Sequence, residues 1–305
     1  IKKNGRRTII YDTYGNDIIK SGETQTHLGK DTAITRYDYD YFRPNKNKLM
    51  PLLFYSNEDR IYVGYSYMFQ KQQWRKYPYG MEHYIDVKYS INQQALSSTY
   101  AGRFNQLLGN WDLLLNANYD HERWKNFYGL GNETVETTTD QDFNRVRSRE
   151  FLGSVGMQRV FDGKHRFVIA PYYQSYEIYQ DTGRYLAKNS TVQNSHTYES
   201  KHFVGATAFY IYQHLNDSVL PTRGFHFMDN VNYSQNTKVK HNQATRYAAE
   251  AQVYLPLISK FSLSVLGGAT TLSGNPEFFQ YNTLGTTQTI RGHQRDRYYG
   301  NSTVY

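Results

Sequence analysis

Three arginines and an aspartate stand within seven residues of one another in Ile290-Arg-Gly-His-Gln-Arg-Asp-Arg-Tyr-Tyr-Gly300. A guanidinium has five donors, no acceptor and a permanent charge, so inside a protein it needs carboxylates or carbonyls around it. The segment is too charged for a strand and too patterned for a linker. Read as a long loop folded back into a β-barrel, it buries Arg291, which then requires a carboxylate partner and, with Gly292, locks the loop. Arg295, Asp296 and Arg297, with Tyr298 and Gly300, form a secondary network or a solvated loop tip. The competing reading is a surface loop that happens to be rich in Arg.

Other chemistry is hard to find. A phosphoesterase needs Asp, His and Asn ligands around two metal ions. No Asp-x-His, Gly-Asp-x-x-x-Asp or Gly-Asn-His-Asp/Glu pattern occurs. Gly131-Asn132-Glu133 is superficially like the last but lacks the His. The ten His residues are scattered, and His214, His226 and His241 fall at separate turns or faces. No nucleophile elbow, P-loop or dinucleotide fingerprint is present. The expectation is therefore no catalytic constellation, no metal site and no cofactor.

The elements that would position the Arg-Gly loop follow from composition and period. The chain has 305 residues, net charge +8, no cysteine, and 31 Tyr against 16 Phe and 3 Trp. An apolar ring with a wet hydroxyl suits a membrane–water interface. Mean hydropathy is −0.77, a value that says little about strands carrying an apolar residue at every second position. No eighteen-residue apolar run exists for a spanning helix. The basic residues are dispersed, without a basic helix or nucleic-acid motif, so no nucleic-acid partner is expected. The chain opens at Ile1 without Met or a signal peptide and closes on Asn301-Ser-Thr-Val-Tyr305, which reads as a strand opening; both ends are expected to be cut.

Residues 1–33 are assigned to a periplasmic connector or plug segment. Arg7–Tyr11 reads as a short strand, Tyr14–Asp17 as a turn, and Gly22–Lys30 as polar and irregular. From residue 34 the period is two, and 34–305 is assigned to a β-barrel, incomplete at its C-terminus. Ile61, Val63, Tyr65, Tyr67 and Phe69 alternate with Tyr62, Gly64, Ser66 and Met68. Ile85, Val87 and Tyr89 alternate with Asp86, Lys88 and Ser90. Trp111, Leu113, Leu115, Ala117 and Tyr119 alternate with Asp112, Leu114, Asn116 and Asn118. Strands are also expected at 34–42, 97–106, 146–160, 166–178, 201–213, 224–234, 245–256 and 261–272. The small and polar alternate face suits a watery lumen and the apolar, tyrosine-bracketed face a lipid band; the alternative is a soluble sandwich. Connectors near 109–110, 162–164 and 259–260 are tight, and those at 120–142, 179–200 and 273–299 are long. Long loops belong outside and short turns on the periplasmic side. With 34–42 as strand one, the Arg291 loop follows the eleventh strand, as parity demands.

With these parts in place the chain resembles the bacterial surface antigen family, the barrel superfamily of the outer-membrane assembly factor and the two-partner-secretion transporters. Ile290-Arg291-Gly292-His293 resembles its hydrophobic-Arg-Gly-aromatic loop motif, with His in place of Phe or Tyr. Arg297-Tyr298-Tyr299-Gly300 resembles the Arg-aromatic-x-Gly continuation, and Pro221-Thr222-Arg223-Gly224 the Pro-x-x-Gly opening of a mid-barrel strand. Asn126–Asn132, Lys76–Tyr79 and Ile9–Thr13 are similar to segments of barrels fused behind a calcineurin-like metallophosphoesterase in Bacteroidota. The resemblance implies an all-β transmembrane antiparallel barrel of about sixteen strands, of which about eleven plus a stub lie in this chain. It also implies that the loop tip enters the lumen and that Arg291 meets an acid on a later strand.

Three functional expectations result, all in the bacterial outer membrane. The barrel anchors, or translocates for, a larger polypeptide with a periplasmic metallophosphoesterase upstream. Alternatively it inserts or secretes polypeptides in the manner of the assembly factors, or it is a structural subunit of a larger outer-membrane complex. Expected partners are outer-membrane lipid and lipopolysaccharide, and other outer-membrane or periplasmic subunits.

Overall fold

A computed structural model describes residues 8–16, 18, 22, 24–29, 44–56, 60–73, 76, 78–136, 138, 140, 142–188, 192, 196–258, 261–285, 290 and 292–305. The chain divides into two units, Ile1–Pro44 and Asn45–Tyr305. The sequence reading put the boundary at 33/34.

In the first unit β1 (Thr8–Thr13) pairs in parallel with β2 (Thr24–Gly29), in register from Thr8↔Thr24 to Thr13↔Gly29. The stretch expected to be irregular therefore contains a strand. Its β-branched Thr24 and Thr26 at every second position favour that conformation, a signal masked by the polar composition.

The second unit is an antiparallel meander. Its long strands are β3 (Lys46–Ser56), β4 (Arg60–Lys71), β5 (Met81–Ser90), β6 (Ala95–Leu108), β7 (Trp111–Asn126), β8 (Arg145–Phe161), β9 (His165–Ile178), β10 (Lys201–Leu215), β11 (Gly224–Asn236), β12 (Gln243–Ile258) and β13 (Phe261–Gly274). Each pairs with its sequence neighbour. After β13 come the small hairpin β14 (Asn282–Leu284) and β15 (Tyr298–Gly300), then β16 (Ser302–Val304), which returns to pair with β13. Among the described residues the main sheet thus has eleven long strands and a stub. Its first strand is Lys46–Ser56; the expected strand at 34–42 lies outside the described residues. Pro51 lacks an amide hydrogen and is tolerated because, among the described residues, β3 pairs on one side only, with β4.

The two faces of this sheet are inverted relative to a soluble protein. Outward side chains include Val63, Tyr65, Val87, Val155, Ile169, Val204 and Val265, all exposed. Inward side chains include Ser66, Asp86, Ser90, Asp112, Ser148, Gln158 and Ser234, all buried. Aromatic side chains bracket the outward apolar band. Tyr119, Phe151 and Tyr173 stand toward one end, and Trp111, Phe161, Tyr210 and Phe227 toward the other, where Arg159 lies 4.5 Å over the Phe161 ring. Connectors at 109–110, 162–164 and 216–223 share the second end; the loops at 127–144, 179–200 and 275–301 share the first.

Candidate functional site: the loop plug

Phe278 and Phe279 form a short 3-10 turn, Phe278–Gln280, just after β13. Glu277 precedes it; its N–H donates to Gln280 Oε1 and its carbonyl accepts from the Gln280 N–H, each at 2.9 Å. This reciprocal pair fixes the turn and aims both rings inward. Phe279 stacks on Tyr176 with centroids 3.8 Å apart, and Phe278 packs on Phe127 at 5.0 Å. Phe127, Val146, Tyr176, Ile178, Leu186, Phe278 and Tyr299 form one buried cluster. All three long loops contribute to it, so the first end of the barrel carries a hydrophobic plug.

Polar contacts pin the turn from the sheet side. Lys201 Nζ lies 3.7 Å from Glu277 Oε2, with the two side chains 6% and 8% exposed. Lys201 also donates to the carbonyls of His196 (2.7 Å) and Thr197 (3.1 Å), and Asn242 Nδ2 donates to Glu277 Oε1 at 2.7 Å. Gln280 Nε2 donates to Ser234 Oγ at 3.1 Å, and Arg246 donates to the Gln280 carbonyl. Sequence reasoning missed all of these. The available signal was an acid–Phe–Phe–Gln run inside a loop, which has no strand or helix period to expose it.

The Arg-Gly segment is held by the β7–β8 loop. Gly285 (φ +110°) opens its tip; a Cβ there would sit 2.3 Å from the Gln294 carbonyl, so only glycine fits. Gly292 (φ +88°) and Asp296 (φ +52°) supply further left-handed turns. Gly131 N–H donates to the Tyr299 carbonyl at 2.8 Å, and Tyr299 Oη donates to the Asn126 carbonyl at 2.9 Å. Asn126 Nδ2 donates to the Arg295 carbonyl at 2.8 Å, and Tyr128 Oη donates to Gln294 Oε1. Two sequence motifs, Asn126–Asn132 and Arg297–Gly300, are thereby brought into one contact.

Arg291 lies outside the described residues, and with it the expected carboxylate partner. Arg297 donates through Nη1 to Thr134 Oγ1 at 2.7 Å and through Nη2 to the Thr134 carbonyl, and it lies 4.4 Å over Tyr128 and 4.8 Å over Tyr298. No carboxylate pairs with it among the described residues. Arg295 turns into a lumen cavity of about 390 Å³ lined also by Lys88, Asp120, Arg123 and Glu150, with Asp296 3.8 Å from its Nε. His293 packs edge-on against Tyr298 at 5.6 Å. Gly300 pairs with Asn282 in the β14–β15 hairpin. Burial pushes the Tyr299 phenol well above its ordinary value, helped by Asp296, Tyr176 and Glu150. Burial, with Glu136, raises Tyr128 as well.

Pro221 and Gly224 are at the opposite end. Asn216 Oδ1 accepts from the Thr222 and Arg223 amides at 3.0 and 2.9 Å, organising the turn. Gly224 (φ +138°) then begins β11 so close to β10 that a Cβ would lie 2.2 Å from the His214 carbonyl. His214 and His226 occupy opposite faces of this pair, and His241 is in a loop at the other end. Among the described residues no group of three or more His, Asp or Glu is placed to hold a metal.

No protein-family model matches the chain, and no curated protein matches it in sequence. A crystal structure of BamA from Haemophilus ducreyi lacking POTRA domains 1–3 does match in three dimensions. The superposition has a TM-score of 0.61 at 11% identity and covers 83% of this chain and 47% of that one. The chain has the BamA barrel fold. It is all-β, with a transmembrane-type antiparallel sheet, and it spans less than half the length of that BamA chain. Among the described residues the loop plug follows the eleventh long strand of the main sheet.

Proposed function

We propose that this chain is an outer-membrane β-barrel whose lumen is closed from the external side by the loop plug. In this reading the barrel anchors, or passes material for, a larger polypeptide with a periplasmic metallophosphoesterase upstream. The observation that carries the membrane part is the inverted sheet: exposed aliphatics bracketed by aromatics outside, buried Ser, Asp and Gln inside. The phosphoesterase part rests on the resemblance carried by Ile9–Thr13, Lys76–Tyr79 and Asn126–Asn132. Lipid and lipopolysaccharide meet the outward face, and the chain itself performs no catalysis.

The absence of Cys makes topology directly testable. Asn132→Cys should react with an impermeant maleimide in intact cells, and Gly163→Cys only after the outer membrane is opened. The reverse pattern would invert the orientation, and a protein that is released by alkaline carbonate would end the membrane reading. Phosphatase activity that co-purifies with the natural full-length polypeptide supports the anchor role; its absence removes it.

A second reading, insertion or secretion of polypeptides, is favoured by the BamA fold likeness. Depletion that lowers the levels of other outer-membrane proteins would select it over the anchor reading.

A further inference from the structure

Beneath the Phe279 turn lies a second inward cavity of about 140 Å³, lined by Tyr172, Gln174, Asn232, Arg246 and Gln280 among others. Its hydrogen-bonding character is one-sided. Arg246 is partly buried, and no carboxylate lies within ion-pair distance of it among the described residues. Its one described hydrogen bond goes to the Gln280 carbonyl. Its Nε is shielded from solvent and has no partner among the described residues. The Gln174 amide has no partner among the described residues. Asn232 spends its Oδ1 on Tyr172 Oη at 3.1 Å, which leaves its amide hydrogens for the cavity. Lys125 also lines the space, and its charge is matched by Glu150 at 2.6 Å. No carboxylate lines the cavity among the described residues.

A guanidinium withdrawn from water needs an anion or a full set of acceptors, and leaving it without either is costly. Here one carbonyl is supplied, and the Gln174 and Asn232 amides bring further donors to the wall. The volume equals that of about four or five waters, enough for one small tetrahedral oxyanion beside the guanidinium edge. Arg is suited to such a group because its planar fork meets two oxygens at once.

We propose that this cavity is a binding site for a phosphate-sized tetrahedral oxyanion, with Arg246 as the charged ligand and the Gln174 and Asn232 amides completing the donor set. The inference goes beyond the membrane-barrel reading and does not depend on what the barrel carries.

The test is isothermal titration of the complete protein, folded in detergent, with inorganic phosphate at ionic strength held constant by chloride. Saturable binding is expected, displaced by sulfate and not by acetate or chloride. Arg246→Gln should weaken it about tenfold or more, while Arg159→Gln, on the outward face, should leave it unchanged. Absence of a phosphate signal above chloride would overturn the proposal. So would undiminished binding by Arg246→Gln, or acetate binding as tightly as phosphate. Should Arg246→Gln fail to fold, the sulfate and acetate competitions on the wild type, with Gln174→Leu, decide the matter by the same criteria.

Discussion

Lys201 and Glu277 face each other almost completely shielded from water. Removing one partner of such a pair costs about 3–5 kcal/mol, because the survivor keeps its desolvation penalty. Glu277→Gln should therefore lower resistance to urea by about that amount, read from the heat-modifiable gel shift, and Lys201→Met/Glu277→Leu should cost less than the two single changes combined. Tyr299 allows a pH test. Its folded-state phenol titrates above the unfolded one, so its contribution is complete below about pH 10 and is lost as pH rises through the folded value. Alkaline destabilisation of wild type should be steeper over that window than that of Tyr299→Phe, in denaturant midpoints measured at each pH. At this scale the sequence was only partly legible. Spacing singled out the 290–300 run; in the structure Arg295 lines the inward cavity and Arg297 contacts Thr134 of the neighbouring loop. The partners were not readable, because Thr134, Asn126 and Lys201 are distant in the chain from the residues they meet, and strand periodicity does not say which loop residue a strand end will contact.

Among the elements, the β7–β8 loop and the segment after β13 act as one body. Phe127 is fully buried between Phe278, Tyr185 and Tyr299. Phe127→Ala should cost about 3–5 kcal/mol of plug stability. Amide exchange should quicken in residues 277–300 while β4 and β5 stay protected; uniform loss of protection would show that plug and sheet unfold together. Strand positions were readable wherever one face was apolar and the other polar, which is why β4, β5 and β7 fell where the alternation put them. β3 was missed because Lys46, Lys48 and Pro51 break the pattern on a strand paired on one side.

For the molecule as a whole, the inverted faces make opposite demands on substitutions one residue apart. Val87 points outward and Lys88 inward. Val87→Arg should cost about 2–4 kcal/mol near mid-bilayer, whereas Lys88→Arg, which keeps the inward charge paired with Asp86 at 3.1 Å, should be nearly neutral, in folding titrations into lipid vesicles. Equal effects would contradict the assignment of faces. Among the described residues eleven long strands precede the Arg-Gly loop, with Lys46–Ser56 first, while the strand expected at 34–42 lies outside them.

The aromatic plug also has a mechanical consequence. Its side chains are borne by β8 and β9, by the loop leaving β7 and by the segment leaving β13, so it is a keystone resting on several staves at once. A displacement of β9 relative to the segment after β13 must slide Phe279 off Tyr176, whose rings are 3.8 Å apart, and any ligand or partner that shifts that stack will be felt by both at once.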